Sequence, residues 1–254
     1  NRPIKPTEIV TLKSVENALR VLLALGGSTN AVIHLAAIAG RAGIDIPLDR
    51  FNALSETTPV LVNLKPVGSH YMEDLFAAGG LGAVLRELKP LLNLDCMTVT
   101  GATLGERLAA ESGPVNRDVV SPAGAPLEPK GGLVALFGSL APDGAILKRS
   151  AADPALLEKE GRAVVFSSLE DLSARIDDPA LDVTADDILV LQNAGPRSPS
   201  GMPEAGYLPI PKKLSARGVK DMVRISDARM SGTAFGTIVL HVTPEAAIGG
   251  PLAL

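Results

Sequence analysis

The spacing of apolar residues along the chain changes near residue 112. Before this point apolar residues recur three and four positions apart, which is the spacing of one face of an α-helix. The pattern predicts helices over residues 8–25, 31–42, 49–56, 71–89 and 103–110, the fourth of which is interrupted at Gly79-Gly80. The mostly apolar run Val60-Leu-Val-Asn-Leu instead predicts a buried strand. The first part of the chain is therefore expected to be mainly helical.

Polar and glycine residues at the ends of these segments support the predicted helix limits. Thr7 precedes the first helix, and Gly26-Gly27 ends it. The segment Ser28-Thr29-Asn30 precedes the second helix, where short polar side chains cap the free N–H groups of a first turn.

After residue 112 the apolar runs are short and lie between proline and glycine turns. They predict strands at residues 133–137, 163–166, 188–191, 222–226 and 238–242, with helices at 168–176 and 209–217. We therefore predict two parts. Residues 1–112 form the end of an α/β domain, and residues 113–254 form a compact β-rich domain, a barrel or sandwich with flanking helices.

Composition and charge narrow the class of protein. The chain has 254 residues, 46% of them apolar, and a net charge of −4, which argues against nucleic acid as a partner. The best apolar run, residues 18–25, is too short to span a membrane. Cys96 is the only cysteine, which excludes an intrachain disulfide and fits a reducing, cytoplasmic compartment. Because the chain begins at Asn1 without methionine, we expect a piece of a longer protein.

Two polar segments follow predicted strands and carry the candidate chemistry. The strand at 188–191 is followed by Gly195-Pro-Arg-Ser-Pro-Ser-Gly-Met-Pro-Glu204, and the strand at 222–226 is followed by Asp227-Ala-Arg-Met-Ser231-Gly-Thr233. A strand end fixes the backbone while the turn exposes a reactive group. By itself the segment around Ser231 favours an ordinary polar turn after a strand.

Six short motifs, in a consistent order, give the sequence a family resemblance. It resembles the dihydroxy-acid dehydratase and phosphogluconate dehydratase family, which also holds the aldonic (sugar) acid dehydratases. The motifs are Gly26-Gly-Ser-Thr-Asn-Ala, Lys65-Pro-Val-Gly, Asp74-Leu-Phe-Ala-Ala-Gly-Gly, Gly-Met-Pro-Glu204, Asp227-Ala-Arg-Met-Ser-Gly-Thr and Gly249-Gly-Pro-Leu.

The resemblance implies a fold and an activity. The fold would be α/β: the helical tail of an N-terminal α/β domain, then a swivelling β/β/α barrel of the aconitase C-terminal type. The activity would be a hydro-lyase reaction, dehydration of a 2,3-dihydroxy carboxylic acid to a 2-keto-3-deoxy acid. Ser231 would be the base that removes the C2 proton, made an alkoxide by nearby positive charge. Glu204 would be a Mg²⁺ ligand, with a solvated loop acid as the alternative.

The resemblance also implies a cofactor that this chain cannot hold alone. The family carries an Fe–S cluster, [2Fe-2S] or [4Fe-4S], on three cysteines of the preceding domain, together with the remaining Mg²⁺ ligands. A lone Cys96 cannot ligate such a cluster and is expected to be a packed thiol. No cluster ligand is expected in this chain, which by itself should be inactive. A homodimer or homotetramer is expected.

Other polar residues have a functional and a structural interpretation. Thr233 either binds the substrate or stabilises its turn. Ser28, Thr29 and Asn30 either bind an anionic substrate at the helix N-terminus or only cap the helix. Asp227 and Arg229 either form a pair that orients the serine or pair at the surface.

The remaining candidates are assigned no catalytic role. His34 is interpreted as a buried core histidine, with a role facing the site as the alternative. His70 and His241 are interpreted as structural residues. Lys65 resembles a lysine typical of the family, and no role is assigned to it.

The substrate is the least determined feature. Residues 205–214 and the segment after them resemble the aldonic-acid branch, so we expect a pentonate or hexonate such as arabinonate. The alternative is the dihydroxy-acid substrate of branched-chain amino-acid biosynthesis. A different class, a non-catalytic anion-binding module, would not need both Glu204 and Ser231.

Overall fold

The computed structural model describes residues 3–202, 207–230 and 235–254. Its contacts divide the chain into two compact units, Asn1–Val134 and Ala135–Leu254. The boundary between residues 112 and 113 refers to the domains of a complete protein and stays a prediction.

The described part of the first unit is mainly helical, as predicted. Buried residues from α2 and α6 and from the segments around Leu61 and Val120 form its main core. The helices are α1 (Pro6–Ile9), α2 (Leu12–Ala24), α3 (Thr29–Arg41), α4 (Leu48–Thr57), α5 (Met72–Ala77), α6 (Gly80–Leu88) and α7 (Leu104–Ala110).

The single helix predicted for residues 8–25 is wrong, because the chain breaks at Val10 and Thr11. Both residues have extended backbone angles. Thr11 is the N-cap of α2: its side chain accepts a hydrogen bond from the Ser14 N–H, and the Ser14 hydroxyl accepts one from the Thr11 N–H. These reciprocal bonds satisfy N–H groups at the start of a new helix.

The strand predicted for residues 60–64 does not form a ladder. Val60 and Val62 are buried, but they make only isolated antiparallel bridges, to Glu128 and Val120. The prediction that this run is buried is therefore confirmed, and the prediction that it forms a strand is wrong. The pattern of apolar residues does not show whether another segment lies alongside to pair with it.

The second unit is built on a six-stranded mixed sheet with the strand order β1-β2-β6-β5-β4-β3. Strands β3, β4, β5 and β6 are parallel to one another, and β2 is antiparallel to β6. The strands are β1 (Val134–Gly138), β2 (Ala141–Leu147), β3 (Ala163–Phe166), β4 (Ile188–Leu191), β5 (Arg224–Ser226) and β6 (Ile238–Thr243). The α/β class is thus confirmed.

Both faces of the sheet are covered, as expected for buried parallel strands. Leu189 and Leu191 belong to one core cluster, and Val190 between them belongs to another. Helix α8 (Leu169–Arg175) connects β3 to β4 and contributes Leu172 to the first cluster.

Two elements of the second unit differ from the prediction. Strand β2 was missed because its first residues, Ala-Pro-Asp-Gly, have the composition of a turn. The helix predicted for 209–217 is reduced to α9 (Lys212–Ser215), since Pro211 lies at its N-cap and Gly218 has a φ of 91°. None of the helices in the described ranges has the length and apolar composition to cross a membrane.

Candidate active site

The segments that carry the predicted base and metal ligand leave the sheet from adjacent parallel strands. Glu204, Ser231 and Thr233 themselves lie outside the described residues. Strand β4 ends at Leu191 and β5 at Ser226, and these two residues are paired in the ladder. Both segments therefore begin at one edge of the sheet, formed by the carboxyl ends of β3 to β6. This carboxyl edge is where open α/β sheets usually bind ligands.

Asp227 holds three segments of this edge together. It is the first residue after β5 and is only 1% exposed. Its Oδ1 accepts a hydrogen bond from the Ala194 N–H at 3.0 Å, and its Oδ2 accepts one from the Ala246 N–H at 2.9 Å. Surface pairing of Asp227 is thus wrong, because the carboxylate is buried and fixes the segments that follow β4 and β6.

Glu245 makes a second connection between the same two segments. Both carboxylate oxygens accept the Arg197 N–H, at 2.9 and 3.0 Å. The carboxylate lies so close to Gly195 that a Cβ added there would be 2.0 Å from Oε2. The segment leading to Glu204 therefore needs glycine at this position.

Arg224 contacts the chain on the far side of both undescribed segments. Its side chain is buried within β5, and its Nη1 donates to the Leu208 carbonyl at 3.2 Å. Its Nη2 donates to the Phe235 carbonyl at 2.8 Å and to Asp221 Oδ1 at 2.9 Å. Burial lowers the pKa of Arg224, and the Asp221 carboxylate opposes that shift. One guanidinium thus joins the segments that follow Glu204 and Ser231.

Left-handed backbone conformations are concentrated beside this edge. Among the described non-glycine residues, positive φ occurs at Asn193 (55°), Met202 (55°) and His241 (58°). Asn193 and Met202 lie between β4 and Glu204, and His241 lies near the end of β6. Such conformations cost free energy and are typically retained at functional sites.

The candidate residues of the first unit have a local structural explanation. Ser28 is the N-cap of α3, and its Oγ accepts the Asn30 N–H at 3.1 Å. Thr29 is buried and Asn30 is half-buried. A capping role is therefore observed for Ser28 alone, and substrate binding by the three residues stays a prediction.

Of the two histidines in the first unit, one differs from its prediction. His34 is exposed on α3, so its assignment to the core is wrong. The Nδ1 of His70 lies 3.7 Å from Asp74 Oδ2. The Nζ of Lys65 lies 2.5 Å from the Tyr71 hydroxyl.

Cys96 is buried, as predicted, and burial raises the pKa of its thiol. The Asn17 side-chain amide lies 3.7 Å from the sulfur atom. One buried thiol does not fit the three-cysteine set of an Fe–S cluster. Within the described ranges, no group of three or more His, Cys, Asp or Glu residues is arranged to hold a metal ion.

Comparison with known proteins agrees with the motif resemblance over nearly the whole chain. Two family models match: the dihydroxy-acid/6-phosphogluconate dehydratase N-terminal model at residues 1–107, and the corresponding C-terminal model at residues 118–254.

Curated relatives include enzymes of both substrate branches. The chain is 51% identical over 253 residues to an L-arabinonate dehydratase of Rhizobium leguminosarum bv. trifolii, covering 99% of this chain and 44% of the relative. It is 51% identical to a 6-deoxy-6-sulfo-D-gluconate dehydratase of Pseudomonas putida, covering 100% and 44%. It is 44% identical to a dihydroxy-acid dehydratase of Caldicellulosiruptor bescii, covering 99% and 45%.

The chain thus spans less than half the length of these relatives. The match of both models and the level of identity show that it belongs to the dihydroxy-acid/6-phosphogluconate dehydratase family.

Proposed function

We propose that this chain is the base-bearing part of a hydro-lyase that converts a sugar acid, a 2,3-dihydroxy carboxylic acid, into a 2-keto-3-deoxy acid. Relatives named for L-arabinonate and for 6-deoxy-6-sulfo-D-gluconate are 51% identical to it, against 44% for a dihydroxy-acid dehydratase. This difference supports the sugar-acid branch.

One structural observation carries the proposal. The segments that contain Glu204 and Ser231 begin at paired residues of adjacent parallel strands. Asp227, Glu245 and Arg224 hold the described chain on both sides of these segments. Catalysis requires such preorganised supports, because a base must be held within hydrogen-bonding distance of the proton it removes.

The proposed chemistry begins at C2 of the substrate. The Ser231 oxygen takes the C2 proton, and the electrons of that bond form the C2=C3 double bond as the C3–O bond breaks. The departing hydroxide takes up the proton that Ser231 has accepted and leaves as water. The resulting enol then becomes the ketone by moving its hydroxyl proton to C3. A serine oxygen needs nearby positive charge to act as a base, and Arg229 precedes it by two residues.

Metal cofactors belong to the proposal through the family resemblance. The Glu204 carboxylate is an oxygen ligand of the kind that Mg²⁺ prefers. An Fe–S cluster, [2Fe-2S] in our proposal, would need cysteines outside these 254 residues, because Cys96 does not fit. When bound in the complete protein, these groups would supply a Lewis acid for the departing hydroxyl. The second unit would be the swivelling barrel of a cytoplasmic homo-oligomer.

The test uses the full-length protein with Ser231→Ala, and Ser215→Ala on α9 as the control. We expect Ser231→Ala to lower turnover about 10²–10⁴-fold and to stop exchange of the C2 hydrogen with deuterated solvent. The control should keep both, and iron absorption should be the same in all samples. A Ser231→Ala enzyme with an intact cluster and near-normal turnover would contradict the assignment of the base.

The substrate class is tested on the same preparation. We expect a higher kcat/KM for arabinonate and other aldonates than for 2,3-dihydroxyisovalerate. The reverse order would favour the branched-chain alternative. Binding of aldonates without turnover or C2 exchange in the wild type would instead indicate an anion-binding module.

A further inference from the structure

His241 is half-buried, but the two nitrogen atoms of its ring are enclosed and form no hydrogen bond within the described ranges. It lies in β6, and both ring nitrogens are inaccessible to solvent. Neither Nδ1 nor Nε2 has a hydrogen-bond partner within the part of the chain that the structure describes. Nearly all buried polar groups in folded proteins are paired, so an unpaired one needs an explanation, such as a ligand.

The backbone conformation of His241 is also energetically unfavourable. Its φ of 58° places it in the left-handed region within a strand. Asn193, with a similar φ, is a residue that tolerates this region, and its side chain donates to the Ser167 carbonyl at 2.9 Å. No comparable side-chain bond joins His241 to any of the described residues. The left-handed conformation of His241 costs free energy, and such conformations are typical of functional positions.

The position of His241 connects it with the segment of the proposed base. Its N–H donates to the Ala228 carbonyl at 3.2 Å. Ala228 belongs to the chain leaving β5, three residues before Ser231. The imidazole is therefore carried at the carboxyl edge of the sheet, beside the segment that holds the base.

The charge state of His241 determines what it can bind. Burial, and secondly the positive charge of Arg229, lower its pKa to about 4. At neutral pH the ring is therefore uncharged and offers one N–H donor and one acceptor. A hydroxyl or carboxylate oxygen of a polyhydroxy acid matches this donor, and the nearby guanidinium favours an anionic molecule.

We propose that His241 is a substrate-binding residue whose neutral imidazole hydrogen-bonds an oxygen atom of the hydroxy acid. This inference rests on the proposed function and adds to it a contact that the motifs did not indicate. His241 would bind and orient the substrate, while Ser231 would remove the proton.

The test compares His241→Phe with wild type in the full-length enzyme. Phenylalanine keeps a ring of similar shape and removes both nitrogens. A lost substrate hydrogen bond should lower kcat/KM for arabinonate about 10- to 100-fold. The melting temperature should be unchanged or higher, because two unpaired buried polar atoms are gone. A purely structural histidine would leave kcat/KM unchanged. His70→Phe, in the first unit, is the matched control and should keep wild-type kinetics.

A second pair of variants keeps the test decisive if His241→Phe does not fold. Asparagine and glycine both tolerate positive φ, and only asparagine restores a donor and an acceptor. We expect His241→Asn to keep a higher kcat/KM than His241→Gly, and equal values would overturn the proposal.

Direct binding separates this inference from the proposed function. Calorimetric titration of arabinonate into Ser231→Ala and into Ser231→Ala with His241→Phe should show about 10- to 100-fold weaker binding to the second. Equal affinities, with Ser231→Ala inactive, would overturn only the role of His241. Failure of the wild type to dehydrate any dihydroxy acid would overturn the proposed function.

Discussion

The two units bury different kinds of polar groups. In the described part of the first unit the buried polar residues are uncharged: Asn17, Thr29, Ser55 and Thr58. In the described part of the second unit they include the charged residues Asp187, Arg224, Asp227 and Glu245. Three of these four lie at the carboxyl edge of the sheet or support the segments that start there.

The partners of the buried charges explain this difference. In the first unit the uncharged side chains of Asn17 and Ser55 donate to backbone carbonyls 76 and 78 residues away. The bonds of Asp227 and Glu245 span between 19 and 48 residues and end on backbone N–H groups of loops. Burying a charge is costly unless it is fully hydrogen-bonded. The second unit therefore uses buried charges where loops without regular structure need a fixed position.

Breaking the buried Arg224–Asp221 pair should have the largest effect on stability. The side chains are 4% and 11% exposed. Arg224→Met leaves a buried carboxylate without its cation and should cost about 3–5 kcal/mol. Lys130→Met, which removes an exposed partner of Glu56 in the first unit, should cost less than about 1 kcal/mol. Hydrogen exchange on peptides of each unit measures the loss of stability in both variants. Equal losses would contradict the proposed difference between the two units.

A methyl group at Gly195 should disturb the same edge less. In Gly195→Ala the new Cβ would overlap Glu245 Oε2, and the expected cost is about 1–3 kcal/mol. Turnover should also fall, because the segment leading to Glu204 must shift. Gly40→Ala in α3 has no atom within 4 Å of its Cβ and should stabilise by about 0.5–1 kcal/mol. Thermal unfolding with parallel kinetics tests both, and unchanged turnover in Gly195→Ala would show that this contact is not needed.

The smallest expected effect belongs to the helix cap of the first unit. Ser28→Ala removes the acceptor of the Asn30 N–H and should cost about 1 kcal/mol, while Ser28→Gly should cost only a few tenths. If Ser28 is only a cap, both variants keep wild-type kcat/KM. A similar loss of kcat/KM in both variants would instead show that the hydroxyl contacts the substrate.

Several site features were not predictable from the sequence, although two had a visible signal. Arg224 is a charge inside the apolar run Met-Val-Arg-Ile, and Glu245 follows a strand directly after a proline. Either signal indicates an unusual position, but neither identifies the carbonyl or N–H group that the side chain will bind. His241 carried no signal of a left-handed backbone.

The sequence by itself determined the features that depend on neighbouring residues and on short motifs. It specified most helices, every strand of the sheet except β2 to within two residues, the burial of Cys96 and the family. Tertiary structure alone decided that residues 60–64 make no ladder, that Ala-Pro-Asp-Gly begins a strand, and that Asp227 binds the backbone at residues 194 and 246. The spacing of apolar residues and helix capping depend on residues a few positions apart, so the sequence shows them. Strand pairing and the hydrogen bonds of buried charges depend on groups tens of residues away, which come together only in the folded chain.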